Sequence, residues 1–249
     1  MPGPKIFKSI NQIPKKLDDL TSILALSQGL DPKVGDVNQT RHIIHYLFDR
    51  AKQDSADFIY DHLEHAVLFQ NHHELLKYAA SKIETGAVWE FGVFTATSTN
   101  IIADVIGPRK ITGFDSFQGL KEDWAGHTLL AGAFDLGSKL PKVRKNVELI
   151  PGWVQDTVSP ALDRLNGEKL AFVHFDLDTY ESTRFAMNAI TAHLADTAIF
   201  VFDEYHSYPG WKHGEKKAFE EWIVATGARH RFIGFAWEQA AVEVLISKC

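Results

Sequence analysis

Val88-Trp89-Glu90-Phe91-Gly92-Val93-Phe94-Thr95-Ala96-Thr97-Ser98 is the stretch on which the reading of this chain turns. An apolar run from Ala87 to Phe91 carries one acid, Glu90, and reads as a buried strand. Gly92 follows at once, then small residues through Ser98, then the apolar helical start Ile101-Ile102. Strand, tight turn and helix in succession put a glycine where backbone can approach a ligand closely. The helix start adds free N–H groups and the positive end of a dipole. In open α/β sheets, ligands sit beyond the carboxyl ends of the strands. An ordinary strand-to-helix turn has the same pattern, so the rest of the chain decides between them.

Working outward, Lys110 to Phe114 forms a second strand that ends at Asp115, 25 positions after Glu90. An acid at the end of a second strand, about 20 residues beyond the first turn, is where a nucleotide ribose is held. A turn or cap aspartate is the other reading, because Ser116 follows; the joint occurrence with Glu90-x-Gly92 favours the ribose. Residues 117–141 make a long polar and aromatic loop, read as a lid over a ligand. Val147 to Ile150 is a third strand, and Trp153 after it falls where an adenine ring could be flanked, a core or surface tryptophan being the other reading. A helix is expected from about Thr157 to Leu165. Leu170 to Phe175 is a fourth strand, closed by Asp176-Leu177-Asp178; a helix spans Ser182 to Leu194. Ala198 to Phe202 is a fifth strand, closed by Asp203-Glu204, 27 positions after Asp176. Glu215 to Ala225 reads as a helix, then His230–Trp237 and Ala241–Ile246 as an antiparallel hairpin.

Ahead of these units, helical spacing over residues 38–84 predicts two or three helices, capped first by Asn38 and running through Phe58 to Leu68, with another helix over Leu17–Leu30. The division expected is therefore residues 1–84, a helical extension for roofing the site or joining subunits, and residues 85–249, the sheet domain. Alternation of strand and helix implies a parallel sheet and an α/β fold, a three-layer α/β/α sandwich. His42, His45, His62, His65, His72 and His73 crowd the extension; without HExxH or a cysteine partner they read as surface or structural histidines.

Composition sets limits. The 249 residues are 45% hydrophobic and 23% charged, ordinary for a globular domain with a sizeable core. A formal net charge of −6 without a basic tract argues against nucleic-acid binding. No apolar run nears a membrane span, and the start lacks a signal-peptide core. The lone cysteine, Cys249, suits a reducing, cytoplasmic setting.

Asp176, Asp178, Asp203 and Glu204 put four carboxylates at two strand ends. Unpaired, they would raise one another's pKa, and a hard divalent cation such as Mg²⁺ removes that conflict. Caps or ion pairs are the alternative for any single acid, less so for two pairs. His206, in the loop after the fifth strand, is expected to be exposed and a candidate base. Tyr208 and Trp211 either wall a ring substrate or pack the loop, and His174 reads as structural.

Four phrases occur in order: Glu90-Phe91-Gly92-Val93-Phe94, Gly113-Phe114-Asp115-Ser116-Phe117-Gln118-Gly119-Leu120, His174-Phe175-Asp176-Leu177-Asp178-Thr179-Tyr180-Glu181-Ser182-Thr183, and Val201-Phe202-Asp203-Glu204-Tyr205 with Tyr208-Pro209-Gly210-Trp211. From about residue 85 onward the chain resembles the macrocin O-methyltransferase (TylF-type) family of class I S-adenosylmethionine-dependent methyltransferases. The resemblance implies a Rossmann-like, seven-stranded, mostly parallel sheet with a C-terminal antiparallel hairpin. It also implies Mg²⁺-dependent methylation of a hydroxyl on a small-molecule acceptor, such as a sugar of a natural product. Carried over by position, Asp176, Asp203 and Glu204 hold the metal and Asp178 is the base. Glu90, Gly92, Ser98 and Asp115 hold S-adenosylmethionine, with Ser116 and Trp153 beside them. Two departures stand out: Ala96 where the family has glycine, and Glu204 where it often has Asp. Self-association through the N-terminal helices is a looser expectation. Asp176-Leu177-Asp178-Thr179 also comes near the DxDxT pattern of a phosphatase, its threonine one position early, but that motif ordinarily closes the first strand of its sheet. A nicotinamide dehydrogenase lacks support, since no GxGxxG exists; a non-catalytic relative is left open by Ala96.

Overall fold

Five strands fall where alternation places them: β2 (Ala87–Phe91), β3 (Ile111–Asp115), β4 (Val147–Pro151), β5 (Leu170–Phe175) and β6 (Leu194–Phe202), followed by the hairpin β7 (Arg229–Ala236) and β8 (Gln239–Leu245). The computed structural model describes residues 43–246; the expectations for Leu17–Leu30, Asn38, His42 and Cys249 lie outside them. The chain divides into two units, residues 1–50 and 51–249. Of the first, only residues 43–50 are described, the opening of helix α1 (Ile43–Tyr60).

The second unit holds the whole sheet. An eighth strand joins it, β1 (Val67–Leu68), and the order is β1-β7-β8-β6-β5-β2-β3-β4. Seven strands and a helix running to Leu68 are the expectation; instead α1 stops at Tyr60, and Val67 and Leu68 pair in parallel with Gly234 and Phe235 of β7. A two-residue edge strand with both side chains exposed has no periodicity to detect. Every pairing is parallel except those of β8, which runs against both β6 and β7.

Strands β2 and β5 are buried at every position, as parallel strands covered on both faces must be. One face packs Phe91, Phe175, Phe200 and Phe202 against α4 (Val154–Asp163), α5 (Tyr180–Ile190) and α6 (Glu215–Thr226). The other packs Val88, Phe172 and Val201 against α2 (His72–Ser81) and α3 (Thr97–Ile106). This is the three-layer α/β/α sandwich. Boundaries shift by a few residues. Helix α4 starts at Val154 because the Trp153 carbonyl already accepts from the amides of Asp156 and Thr157. Helix α5 stops at Ile190, and a 3₁₀ turn, Thr191–His193, delivers Leu194 straight into β6.

Strand order reverses between β2 and β5, the crevice where such sheets bind ligands. Backbone bonds continue the ladder past the strand ends there: Asp176 N–H to the Phe91 carbonyl at 2.8 Å, and Asp203 N–H to Phe175 at 2.9 Å. Gly92 has φ +86°, and a Cβ on it would come within 1.7 Å of the Asp176 carbonyl oxygen. The missing side chain thus admits the neighbouring strand end as well as any ligand.

Gly92→Ala is expected to destabilise the fold by about 2–5 kcal/mol, overpacking added to a left-handed backbone. Urea unfolding measures it, and an unchanged midpoint would show that the two turns can separate without cost.

Candidate active site

A cavity of about 280 Å³ opens at the crevice, at the small end of the range for small-molecule sites. Its wall includes Gly92, Asp115, Ser116, Trp153, Asp176, Asp178, Asp203 and Glu204, so eight of the eleven expected site residues meet there. Glu90, Ser98 and His206 are absent from the lining.

Asp115 binds the rim to itself. One carboxylate oxygen accepts from the amides of Val93 and Phe94, at 2.8 and 2.7 Å, and the other from Phe117 at 2.6 Å. The glycine turn and the start of the long loop therefore share one anion. Ser116 Oγ accepts from Gln118 N–H and donates to the Gly119 carbonyl, which shapes the next turn. That loop folds back on itself, Leu120 and Ala133 joined at 2.9 Å, and presents Gly119, Leu120, Lys121 and Phe134 to the cavity. Lys121 Nζ stands 5.6 Å from the Trp153 ring.

Ala96 sits in the left-handed region at φ 63°, yet it is fully buried against Val93 and Phe117 and does not line the cavity. The methyl group that departs from glycine is spent on packing, away from the ligand space.

Glu90 is fully buried and bonded to His174 Nδ1 at 2.9 Å. His174 Nε2 lies 3.4 Å from Asp203 on the far side. Burial opposes a charge on His174, but Asp203 and Glu90 outweigh it and hold the imidazole well above its usual pKa. Burial also works against ionised Asp203, and His174 prevails, keeping that carboxyl below the usual range. Gln239 donates to the same Asp203 oxygen.

The other acids lack such partners. Burial first, then Asp203 and Asp178, hold Asp176 well above the carboxylate range. Burial followed by Asp203, Asp178 and Asp176 does the same to Glu204. Asp178, at a left-handed φ of 61°, is pushed up to about 7 by burial and then by Asp203 and Asp115. One oxygen from each of Asp176, Asp178 and Glu204 lies within 4.8 Å of the others, the one such cation-capable group among the described residues; Asp203, an expected ligand, is outside that group, and Asp178, expected as the base, is inside it. The histidines of α1 and α2 form none. Glu204 Oε2 is buried without a partner, the condition a cation would relieve.

His206 is not the exposed group expected of it. It is 2% exposed, its Nε2 sits 3.1 Å from the Gln239 carbonyl and its Nδ1 2.8 Å from Ser207 Oγ. A carbonyl only accepts, so Nε2 carries the proton and Nδ1 accepts from the serine. Burial lowers its pKa to about 4. The loop that holds it closes down because the Glu238 carbonyl of the hairpin accepts from the amides of Tyr205 and His206. Tyr208 and Trp211 are buried too, and pack the loop: Tyr208 against Trp124, and Trp211 against Phe58.

Two participants have no local signal in the sequence. Glu215, the first residue of α6, is fully buried and accepts from the Glu204 amide at 3.2 Å and from Thr183 at 3.4 Å. Gln239 reaches Asp203 only because β8 pairs with β6. A helix-opening acid after Gly214 is the sole hint of the first.

Replacing Asp115 with Ala is expected to cost roughly 1–3 kcal/mol in the ligand-free protein, since three amides lose their acceptor. Urea unfolding without added ligand reads it; no loss would mean water replaces the carboxylate. Glu215 supplies a pH signature. Burial, opposed by the Glu204 amide and aided by Asp203 and Asp178, pushes its pKa up to about 8. Its folded pKa exceeds the unfolded value of about 4.3, so its stabilising part is complete below that pH and is lost as pH rises through 8. Thermal midpoints of cation-free protein should fall over that window, and less steeply in Glu215→Gln; parallel slopes would remove Glu215 as the cause.

Known proteins resemble this chain in fold. Residues 89–205 match the family model described as "Methyltransferase domain". Among solved structures, the calicheamicin methyltransferase CalS11 is 21% identical with a TM-score of 0.55, over 100% of this chain and 95% of that one. The O-methyltransferase NovP is 20% identical with a TM-score of 0.52, over 68% of this chain and 77% of that one. No curated protein sequence matches. No helix among the described residues is long and apolar enough to cross a membrane. The chain thus has the Rossmann-like methyltransferase fold, and the methyltransferase domain match runs from β2 through β6.

Proposed function

We propose that this protein is an S-adenosylmethionine- and Mg²⁺-dependent O-methyltransferase of the macrocin O-methyltransferase type, acting on a hydroxyl of a small natural product, a sugar in the first instance. The observation that carries the reading is that the acids of β5 and β6 line the same cavity as Gly92, Asp115 and Trp153. A nucleotide site and a carboxylate cluster in one hollow are what joining a charged methyl donor to a chelated hydroxyl requires. CalS11, a calicheamicin methyltransferase, and NovP, an O-methyltransferase, are consistent with it.

Each residue has a part. Asp115 anchors the rim and offers its remaining acceptor capacity to a ribose. Trp153, beside Lys121, offers a flat wall to an adenine. Asp176, Asp203 and Glu204 suit a hard cation as oxygen donors, and Asp203 engages His174 and Gln239 through one oxygen only, Oδ1. When bound, the cofactor supplies an electrophilic methyl group, and magnesium would lower the pKa of a chelated hydroxyl. Asp178, close to both acid pairs and titrating near neutrality, takes the proton from that hydroxyl. Much of the rate comes from holding the two reactants in line. Glu90 acts at a distance, through His174, and His206 through the packing of its loop.

Asp178→Asn is expected to lower kcat by roughly 10²–10⁴-fold while S-adenosylmethionine affinity holds. Calorimetry with the cofactor, with and without Mg²⁺, and release of S-adenosylhomocysteine from a panel of sugars and catechols are the measurements. A protein that ignores the cofactor but hydrolyses p-nitrophenyl phosphate would sink the reading in favour of the DxDxT phosphatase.

A further inference from the structure

Trp237 is the least economical residue in the fold. It opens the two-residue tip between β7 and β8, where Ala236 pairs with Gln239. Its φ is +46°, a region that glycine or asparagine fills with less strain. Its side chain is 73% exposed, so packing returns little for that backbone. The nearest aromatic ring is that of His72, 6.4 Å away at 67°. Strain kept with so little packing points to a ligand.

The tip is also held still, next to the acids. The Glu238 carbonyl accepts from the amides of Tyr205 and His206, at 2.8 and 3.2 Å, directly after Asp203-Glu204. Gln239 then donates to Asp203. Along the sheet the sequence of parts is β4, β3, β2, β5, β6, β8, β7. The cavity wall with Asp115 and Trp153 lies over the first three and the carboxylates over the next two; the tip, outside the cavity lining, follows the last two. In-line displacement needs donor and acceptor on opposite sides of the group that moves. With the donor over β2–β4, the acceptor's side is the hairpin's.

We infer that Trp237 is a stacking platform for the acceptor, and that the acceptor presents a carbohydrate ring to it. The inference rests on the methyl-transfer reading, with its sugar acceptor, and adds the residue that seats the sugar ring. The surroundings of the indole favour a sugar over an arene. Among the described residues they are polar and open: His72 beside it, the half-buried Glu238 following it, and no apolar enclosure of the kind an aromatic acceptor would use. A pyranose offers one apolar C–H face to an indole and hydroxyls to the groups around it. Trp237 touches the substrate's ring, not the reacting atoms, so its contribution is to binding.

Trp237→Asn and Trp237→Phe in the full-length protein test this. Asparagine tolerates the left-handed backbone, so the thermal midpoint of the Asn variant should match or exceed that of the parent. Assays use methyl α-L-rhamnopyranoside, methyl β-D-glucopyranoside and catechol as acceptors. For the glycosides, KM should rise roughly tenfold or more in the Asn variant with kcat within about threefold, and Phe should recover most of the loss. Calorimetric affinity for S-adenosylmethionine should be the same in all three proteins. The glycosides should also quench parental tryptophan fluorescence and leave that of the Phe variant unquenched, a readout that needs no turnover. An unchanged glycoside KM in an active Asn variant overturns the platform. A KM effect confined to catechol overturns the carbohydrate assignment. A variant that changes only its sedimentation shows the indole serves self-association and overturns the platform as well. Absence of S-adenosylhomocysteine from parental protein with every acceptor instead overturns the methyl-transfer reading, and the quenching result then decides the sugar site alone.

Discussion

His174 has no exposed surface and stands between two acids, Glu90 at 2.9 Å and Asp203 at 3.4 Å. The three residues come from β2, β5 and β6, so this interaction joins the strands that flank the crevice. Two buried carboxylates this near each other would repel without a cation between them. Burial alone would discharge the imidazole; the two anions keep it charged. One consequence is a division of labour among the carboxyls. Asp203 is stabilised as an anion, whereas Asp176, Asp178 and Glu204 are left with raised pKa values and no built-in counter-charge. The centre of the site is thereby kept short of positive charge, which is the electrostatic basis for proposing a divalent cation there.

Around that centre the sheet works as a ruler. Parallel neighbours present successive strand ends at regular spacing of about 4.8 Å. Gly92, Asp176 and Asp203 follow strands that are adjacent, and the backbone bonds from Asp176 to Phe91 and from Asp203 to Phe175 lock their heights. The reversed strand β8 then brings Gln239 to Asp203 and seats the hairpin tip on the loop after β6. Fold and chemistry are linked here by strand register, which sets each acid's place before any side-chain contact does.

Much of this was legible in the chain itself. Buried parallel strands appear as apolar runs, so β2, β5 and β6 and the acids that end them could be read directly. Alternation with helices then placed those ends together. The eighth strand could not be read, because Val67 and Leu68 owe their conformation to β7 and have no pattern of their own. His206 was misjudged for a related reason: a loop polar in sequence is buried by the Glu238 carbonyl from the other end of the fold. Glu215 and Gln239 are likewise products of long-range pairing. Asp115 shows a subtler limit. Its spacing marks it as a ribose acid, yet spacing does not reveal that both its oxygens already hold backbone amides.

That last arrangement has a bearing on how a ligand enters. Because one carboxylate gathers the amides of Val93, Phe94 and Phe117, the glycine turn and the neck of the long loop are organised by the chain's own hydrogen bonds. The entropy of ordering those segments is lost when the chain folds, so little of it is charged against association. A visiting nucleotide meets a rim already in shape, and its arrival is limited by diffusion and desolvation more than by rearrangement of the turn.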